Sequence, residues 1–435
     1  MLEKLFKLKE NRTTVSREIM AGIVTFMTMA YIIFVNPGIL ADAMGKELFP
    51  ALAVATCVGA GIMTICMGLF TNYPLALASG MGLNAAVAYG LVLGMKLSWQ
   101  TAMGVIFLEG VIVTILVLTR VREWVMDAIP TDLKRAIGVG IGLFIAFIGL
   151  KNAGLVVADP VTFLTFGKIT AQNGIALFGL LITAVLMARR IKGAILIGIV
   201  ASTIAAIVFH LVKIPTAYFS AIKPEYFSTF FQLDIKSAFS LVLITTIFSF
   251  LISDFFDTMG TVVAVGEEAG FVTKDGKVPR LRNVLLIDSL AAICGGLFGC
   301  SSITTYIESA SGVGEGGRTG LTSVVTGILF FLAIFLAPLI GVVPGYATAP
   351  ALIVVGFLML AVVKNINWDD LTISIPASLT IIMIPLTYSI SKGIGYGFIS
   401  YVLIKLFSGK GKDVHPLMYI TSIFFVIDFF LASRM

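Results

Sequence analysis

Charged residues are scarce in this chain. Only 12% of its 435 residues are Asp, Glu, Lys or Arg, whereas 58% are hydrophobic and the mean hydropathy is +1.03. A soluble domain cannot bury so many apolar side chains, and several apolar runs reach the roughly 20 residues that cross a bilayer as a helix. The composition therefore excludes an ordinary soluble protein and predicts an all-α polytopic membrane protein. The net charge of +6 does not predict nucleic-acid binding, because the basic residues lie in short loops between apolar runs.

Histidine and cysteine, which are common ligands of transition metals, are also few. The chain has two histidines in peripheral positions and four cysteines without metal-ligand spacing. These residues are His210, His415, Cys57, Cys66, Cys294 and Cys300. We interpret the cysteines as small buried thiols. A membrane-embedded enzyme would need a metal or nucleophile cluster, so the sequence predicts no enzyme, no metal site and no cofactor.

The apolar runs predict fourteen transmembrane spans. They lie near residues 20–38, 51–70, 75–93, 99–119, 128–150, 174–190, 192–212, 237–260, 283–300, 302–317, 320–341, 349–363, 371–388 and 393–407. With the amino terminus inside, the inner loops collect 21 lysine and arginine residues and the outer loops 8. Because positive loops stay in the cytoplasm, this distribution predicts a multi-pass protein of the cell membrane with a cytoplasmic amino terminus.

The carboxyl-terminal segment 413–435 has no certain place in this topology. Residues 416–433 are apolar except for Asp428. The segment could form a further span, an interfacial helix or a packed tail.

Two halves of the chain resemble each other. Residues 129–152 begin Ile-Pro and end Leu-Lys-Asn, and residues 343–365 begin Val-Pro and end Val-Lys-Asn, with similar small and apolar residues between them. Seven spans in each half would place the second copy in the membrane upside down. The pattern therefore predicts an inverted repeat, whose central site is built from broken helices where the repeats meet.

The segment 304–317 carries two carboxylates and four glycines between apolar runs. Charge at membrane depth is costly and persists mainly where it faces a cavity, so Glu308 is a candidate ligand or proton carrier. Thr305 is among the short hydroxyls beside it. Glu315 precedes Gly-Gly-Arg and is expected at the end of a span, in an ion pair with Arg318. The glycines indicate a helix that breaks near the site.

The third span holds a similar glycine-rich segment, residues 79–84 (SGMGLN). A half-helix beginning there would present free backbone donors, and the Asn84 amide can both donate and accept hydrogen bonds. A close helix crossing at Gly82, with Asn84 bonded across it, explains the same residues. The sequence does not decide between the two.

The eighth span contains Asp254 and Asp257. Residues three apart share one face of a helix, and close carboxylates in a medium of low dielectric resist double ionisation. This pair therefore predicts a proton-binding site. Asp257 could instead lie at the membrane boundary and cap a helix. Among the aromatic residues, Phe26 could stack on a flat ring, although aromatic residues in membrane helices usually pack.

With these residues in view, the chain resembles the AzgA-like purine nucleobase permeases, a branch of the nucleobase–cation symporters with the UraA-type fold. The matching segments are 25–32 (TFMTMAYI), 80–84 (GMGLN), 254–258 (DFFDT), 304–309 (TTYIES) and 316–320 (GGRTG). The resemblance covers nearly the whole chain. Ala85 and Ala86 depart from the family pattern, in which aromatic residues often follow the asparagine.

The resemblance implies two inverted seven-span repeats arranged as two domains. Residues 1–119 and 237–341 would form a core domain, and residues 128–213 and 349–408 a gate domain. Spans 3 and 10 would each contain a short extended segment before a half-helix. Asn84, an aspartate of the eighth span and Glu308 would contact the base, and Asp254 is favoured over Asp257. The sequence leaves open whether a homodimer forms through the gate domain.

These expectations combine into a secondary active transporter of purine nucleobases. Carboxylates can accept the ring N–H groups of a purine, and Asn84 can serve its carbonyl and ring nitrogens. A proton on Asp254, Asp257 or Glu308 would link charge neutralisation to substrate binding, which predicts proton symport by alternating access. The alternative is an anion transporter of the related sulfate-permease fold. Acidic residues at two positions facing the solute argue against it.

Overall fold

The computed structural model describes residues 2–119, 128–214, 219, 221–271 and 278–432. The chain is mostly helical. We number its α-helices α1 Leu2–Phe6, α2 Val15–Met29, α3 Ile32–Met44, α4 Phe49–Thr71, α5 Met81–Ala85, α6 Trp99–Thr119, α7 Thr131–Asn152, α8 Ala171–Ala188, α9 Ala194–Val208, α10 Ile235–Ala238, α11 Leu241–Glu268, α12 Leu281–Phe298, α13 Ser309–Gly314, α14 Gly320–Ala333, α15 Ala337–Ile340, α16 Gly345–Leu360, α17 Leu371–Thr387, α18 Ile390–Phe407 and α19 Pro416–Ala432.

Four short strands complete the architecture: β1 Leu77–Ser79, β2 Val156–Asp159, β3 Phe163–Phe166 and β4 Ile303–Thr305. β2 and β3 form a hairpin between α7 and α8, whereas β1 pairs with β4 across more than half of the chain. A π-helix, Ala86–Gly94, continues α5. Four of the 21 lysine and arginine residues assigned to the inner loops lie outside the described residues: Arg120, Arg122, Lys274 and Lys277. Arg434, which was assigned to neither side, also lies outside them.

The predicted all-α membrane fold is confirmed. Ten helices in the described residues are long and apolar enough to cross a bilayer, and four shorter apolar helices accompany them. The extended segments predicted in spans 3 and 10 are present as β1 and β4. The first span is itself broken, because α2 ends at Met29 and α3 begins at Ile32. This break places Tyr31 between two half-helices.

The two halves meet through small residues on α7 and α16. A Cβ atom on Gly356 would lie 2.4 Å from the Gly142 carbonyl oxygen, and one on Gly142 would lie 2.8 Å from the Gly356 carbonyl oxygen. Each glycine therefore permits the close approach of the other backbone, as small residues do in membrane helix packing. The helices that the sequence comparison related to each other thus lie against each other.

A buried carboxylate fixes the start of α14. Glu18, fully buried at the start of α2, accepts hydrogen bonds from the backbone N–H groups of Arg318 (2.8 Å) and Thr322 (3.3 Å) and from the Thr322 hydroxyl (2.6 Å). The first N–H groups of a helix have no partner within the helix, and a negative charge there is favourable. Glu18 therefore joins the first span to α14, about 300 residues later in the chain.

Removal of this carboxylate should destabilise the protein. Glu18→Ala leaves buried donors without acceptors, and each such group costs about 1–3 kcal/mol. We expect a clearly lower unfolding temperature in detergent, measured by intrinsic fluorescence. Glu10→Ala is the control, because Glu10 forms only an exposed pair with Lys7 and should leave the temperature unchanged. Equal unfolding temperatures for both variants would contradict this role of Glu18.

Candidate functional site

The centre of the molecule is built on the pairing of β1 with β4. The strands are antiparallel, with Leu77 opposite Thr305 and Ser79 opposite Ile303. The ladder continues at both ends, where Gly80 N–H donates to the Ser302 carbonyl (2.8 Å) and Tyr306 N–H donates to the Ala76 carbonyl (2.9 Å). Each strand is followed by a half-helix, α5 or α13. Extended backbone at membrane depth is tolerated where it is paired and buried in protein. Because the strands are antiparallel, α5 and α13 follow from opposite ends of the pair.

Glu308 lies between β4 and α13, partly exposed. Its side chain accepts a hydrogen bond of 2.5 Å from the hydroxyl of Tyr31, which sits in the break between α2 and α3. Tyr31 itself is buried. A hydroxyl that donates to a carboxylate makes a short and strong bond, so Tyr31 fixes the direction in which Glu308 points.

The two aspartates of α11 have different surroundings. Asp254 is 1% exposed, whereas Asp257 is exposed in the middle of the same helix. Asp257 lies within electrostatic range of Glu308 and of Asp288 on α12. The structure therefore places Asp257 within electrostatic range of Glu308 and buries Asp254 within the packing of α11.

A stripe of exposed residues leads from Asp257 to the carboxyl end of α11. Gly260, Ala264 and Glu267 follow Asp257 at helical spacing and are all exposed. A lipid-facing stripe would be apolar, but this one is acidic or small. The stripe therefore joins Asp257 to the carboxyl end of α11 along a face that is not typical of a lipid-facing surface.

The other predicted ligands surround this centre at different depths. Asn84 is fully buried on α5, with its amide nitrogen 3.5 Å from the Ser79 carbonyl. Thr305 is 2% exposed and is held by its backbone N–H, which donates to Asp288 (3.1 Å). Gly82 faces α7, where a Cβ atom would lie 2.5 Å from the Ile141 side chain. Phe26 packs edge-on against Phe330 of α14, with ring centroids 5.2 Å apart.

Asp288 holds the strand that precedes Glu308. Its carboxylate accepts hydrogen bonds from the Thr258 hydroxyl (2.6 Å) and from the Thr305 N–H (3.1 Å). Thr258 directly follows Asp257, so one buried carboxylate fixes both α11 and β4. Together these bonds set the separation of Asp257 and Glu308.

An aromatic and cationic cluster lies at the end of α7. The Lys151 ammonium lies 4.9 Å from the Tyr89 ring centroid and 5.7 Å from that of Tyr388. The Tyr89 hydroxyl donates to Asp42 of α3 (2.9 Å). These cation–π contacts join α7 to the π-helix that carries Tyr89 and to the end of α17, where Tyr388 lies.

The expected pairing of Glu315 with Arg318 is wrong. Glu315 forms an ion pair with Lys192, which lies just before α9. The Arg318 guanidinium instead donates to the carbonyl groups of Val313 (2.6 Å) and Gly317 (2.7 Å) at the end of α13. The carbonyl end of a helix carries partial negative charge, and a cation beside it is favourable. Nearness in sequence was thus a poor guide to the partner.

Two residues of this centre were not singled out as site residues. Tyr31 lies within a recognised segment, but its partner Glu308 is 277 residues away. Asp288 is an isolated carboxylate in an apolar helix, which was a signal for a buried role. Glu18, whose carboxylate lies at the start of α14, was also not singled out, because it precedes the predicted first span and follows Arg17. Their partners depend on the fold and could not be identified from spacing.

The comparisons with known proteins identify the family. Residues 16–395 match the sequence model of a family described as "Permease family". The chain belongs to the permease family. It is 44% identical to the adenine permease AdeP of Escherichia coli, over 98% of this chain and 95% of that protein. It is 43% identical to the guanine/hypoxanthine permease PbuG of Bacillus subtilis, over 98% of this chain and 99% of that protein. The family assignment identifies a transporter and not an enzyme.

The permease shares its fold with solved transporters. The transmembrane domain of the cyanobacterial bicarbonate transporter BicA matches with a TM-score of 0.64 at 16% identity. The match covers 88% of this chain and 96% of that domain. At this identity the likeness shows the fold, which is that of the UraA and SLC26 type.

Proposed function

We propose that this permease imports purine nucleobases together with protons. The observation that carries the proposal is the pair formed by Asp257 and Glu308, two carboxylates on different elements at membrane depth, one exposed and the other partly exposed. Ionisable groups at this depth mark substrate and proton pathways. The named substrates of AdeP and PbuG, adenine and guanine/hypoxanthine, indicate the class of solute.

Glu308 is proposed as the main ligand of the base. Tyr31 orients its carboxylate, which can accept ring N–H groups of a purine. Asn84, Thr305 and the backbone near Gly82 lie on the neighbouring elements β4 and α5 and would complete the polar rim. Asn84 is buried in this structure, so its contact with the base would require a small opening of the centre.

Asp257 is proposed as the main proton-coupling residue. Its carboxylate is repelled by Asp288 and Glu308, so a proton on Asp257 relieves repulsion at the moment when Glu308 binds the base. Asp254 remains a second candidate for this role, as does Glu308. Linkage between proton binding and substrate binding at one site is the requirement for symport.

Alternating access is proposed to result from movement between two domains. The core would comprise residues 1–119 and 237–341, and the gate residues 128–213 and 349–408. In support, α14 packs against α2 and α4, and α12 against α6, while α7, α8, α16, α17 and α18 pack among themselves. With a cytoplasmic amino terminus in the cell membrane, the carboxyl end of α11 would lie on the inner side.

Uptake assays test the proposal. In cells that lack other purine permeases, radiolabelled adenine, guanine and hypoxanthine should accumulate, with mutual competition and no competition from uracil. A protonophore should reduce accumulation by about tenfold for each pH unit of gradient, because one unit is worth about 1.4 kcal/mol. Accumulation that persists after collapse of the proton gradient would disprove proton symport. Transport of bicarbonate or sulfate instead of purines would favour the anion alternative.

A further inference from the structure

The carboxyl-terminal helix α19 runs antiparallel to α18 along most of its length. In the connecting turn, the Tyr419 hydroxyl donates to the Gly411 carbonyl (3.0 Å). Further along, the Phe425 ring lies 5.8 Å from Phe398, and the Phe429 ring lies 5.0 Å from Tyr396. As residue numbers rise in α19, those of their partners in α18 fall. A helix paired in this way with a membrane span must return to the other side of the membrane.

The dimensions and surface of α19 agree with a crossing. Its 17 residues extend about 26 Å, close to the roughly 30 Å of the hydrocarbon core. The side away from α18 is apolar and exposed, as expected of a surface that faces lipid. The exposed residues on this side include Ile420, Ile423, Phe424 and Ile427.

Phe425 joins α19 to two helices at once. It is 1% exposed, and its ring contacts both Phe398 of α18 and Phe248 of α11, the latter at 6.4 Å between centroids. Gly395 of α18 permits this approach, because a Cβ atom there would lie 2.9 Å from the Phe425 ring. Close to one turn later, the half-buried Asp428 lies near Thr245 of α11 and within electrostatic range of Lys392 of α18. A carboxyl group in an apolar helix is costly, so its position near polar groups is favourable.

We propose that α19 crosses the membrane beyond the fourteen predicted spans and holds the amino-terminal half of α11 against α18. This inference rests on the proposed function, because α11 carries Asp257 and α18 belongs to the proposed gate. Phe248 precedes Asp257 by nine residues, about two and a half helical turns. Any movement of the core along the gate must therefore break the contacts of Phe425 and Asp428 with α11. These two residues are positioning residues, since neither contacts the proposed ligands.

The first test concerns the crossing and does not depend on transport. Epitope tags at the two ends of the full-length chain are probed with antibody in intact spheroplasts and after permeabilisation. We expect only one tag to be accessible in intact spheroplasts, because an odd number of crossings places the two ends on opposite sides. Tags on the same side would overturn the crossing.

The second test concerns the restraint. In T245C/D428C, a bifunctional thiol reagent should join α11 to α19 and reduce purine uptake at least tenfold, with recovery after reduction. T245C/I423C is the matched control, since Ile423 is 60% exposed and lies on the side of α19 opposite Phe425, so it should not be joined to α11. Failure of T245C/D428C to cross-link would overturn the contact, and full uptake in the cross-linked protein would overturn the restraint. A reduced protein that carries no purine would instead contradict the proposed function, while the tag result would still stand.

Discussion

Glu308→Gln is expected to reduce purine uptake by about 10- to 100-fold. A hydrogen bond to a charged group contributes about 1.5–3 kcal/mol, which corresponds to this range of affinity. The glutamine amide keeps one acceptor oxygen but loses the negative charge, and its NH2 group opposes the N–H groups of the base. The measurement is initial uptake of radiolabelled adenine, guanine and hypoxanthine over a range of concentrations, normalised to protein in the membrane. The change should appear in KM.

Two further variants identify the origin of this effect. Tyr31→Phe removes the 2.5 Å hydrogen bond to Glu308 without removing the carboxylate, so a smaller loss of about 3- to 10-fold is expected. Glu315→Gln is the matched control from the same segment. Glu315 pairs with Lys192 at a partly exposed position, and such pairs contribute about 0–1 kcal/mol. If Glu315→Gln were as damaging as Glu308→Gln, the assignment of Glu308 as the ligand would be wrong.

Asp257→Asn is expected to abolish accumulation against a gradient while preserving exchange. An asparagine cannot take up and release a proton, so the base would cross the membrane without a coupled ion. In proteoliposomes, one pH unit should drive about a tenfold accumulation in the unmodified protein and none in the variant. Exchange of labelled for unlabelled purine without a pH gradient should continue in both.

Asp254→Asn is the matched comparison, because it makes the same change one helical turn earlier. Asp254 is buried within the packing of α11, so this substitution should lower the amount of folded protein more than the KM or the coupling. The opposite result, with coupling lost in Asp254→Asn and kept in Asp257→Asn, would assign the proton to Asp254. Either pattern decides between the two aspartates, which the sequence could not distinguish.

The predictability of this fold from sequence has a physical basis. Lipid offers no hydrogen bonds to the backbone, so long apolar runs must be helical. The number of spans can therefore be predicted by counting the apolar runs that are long enough to cross the bilayer. The glycine-rich segments around residues 79–84 and 304–317 predicted broken helices for the same reason, since charge and flexible backbone persist at that depth only in a protected centre. The breaks in spans 3 and 10 could thus be anticipated from local composition, whereas the extended segments β1 and β4 were implied by the family resemblance.

The partners of charged residues could not be predicted in this way. The pairing of Glu308 with Tyr31 and that of Glu18 with the start of α14 join residues about 300 positions apart, and no spacing rule applies to them. The pairing of Glu315 with Arg318 was expected from proximity and was wrong, because the helix end attracted the arginine. The spacing of Asp254 and Asp257 predicts that they share one face of a helix. In the structure, however, neighbouring residues bury Asp254 and leave Asp257 exposed.

The pairing of β1 with β4 has a consequence for biosynthesis. Thr305 lies 228 residues after its partner Leu77, so at about 5–20 residues per second the ribosome needs roughly 10–50 s to deliver the second strand after the first. During this interval β1 has no partner strand, and unpaired peptide groups are disfavoured in the hydrocarbon core. Segment 75–80 should therefore enter its final position only when the second half of the chain arrives. Completion of the binding centre would then be a late, post-insertion event, and a chain interrupted before residue 303 would contain Asn84 without a functional centre.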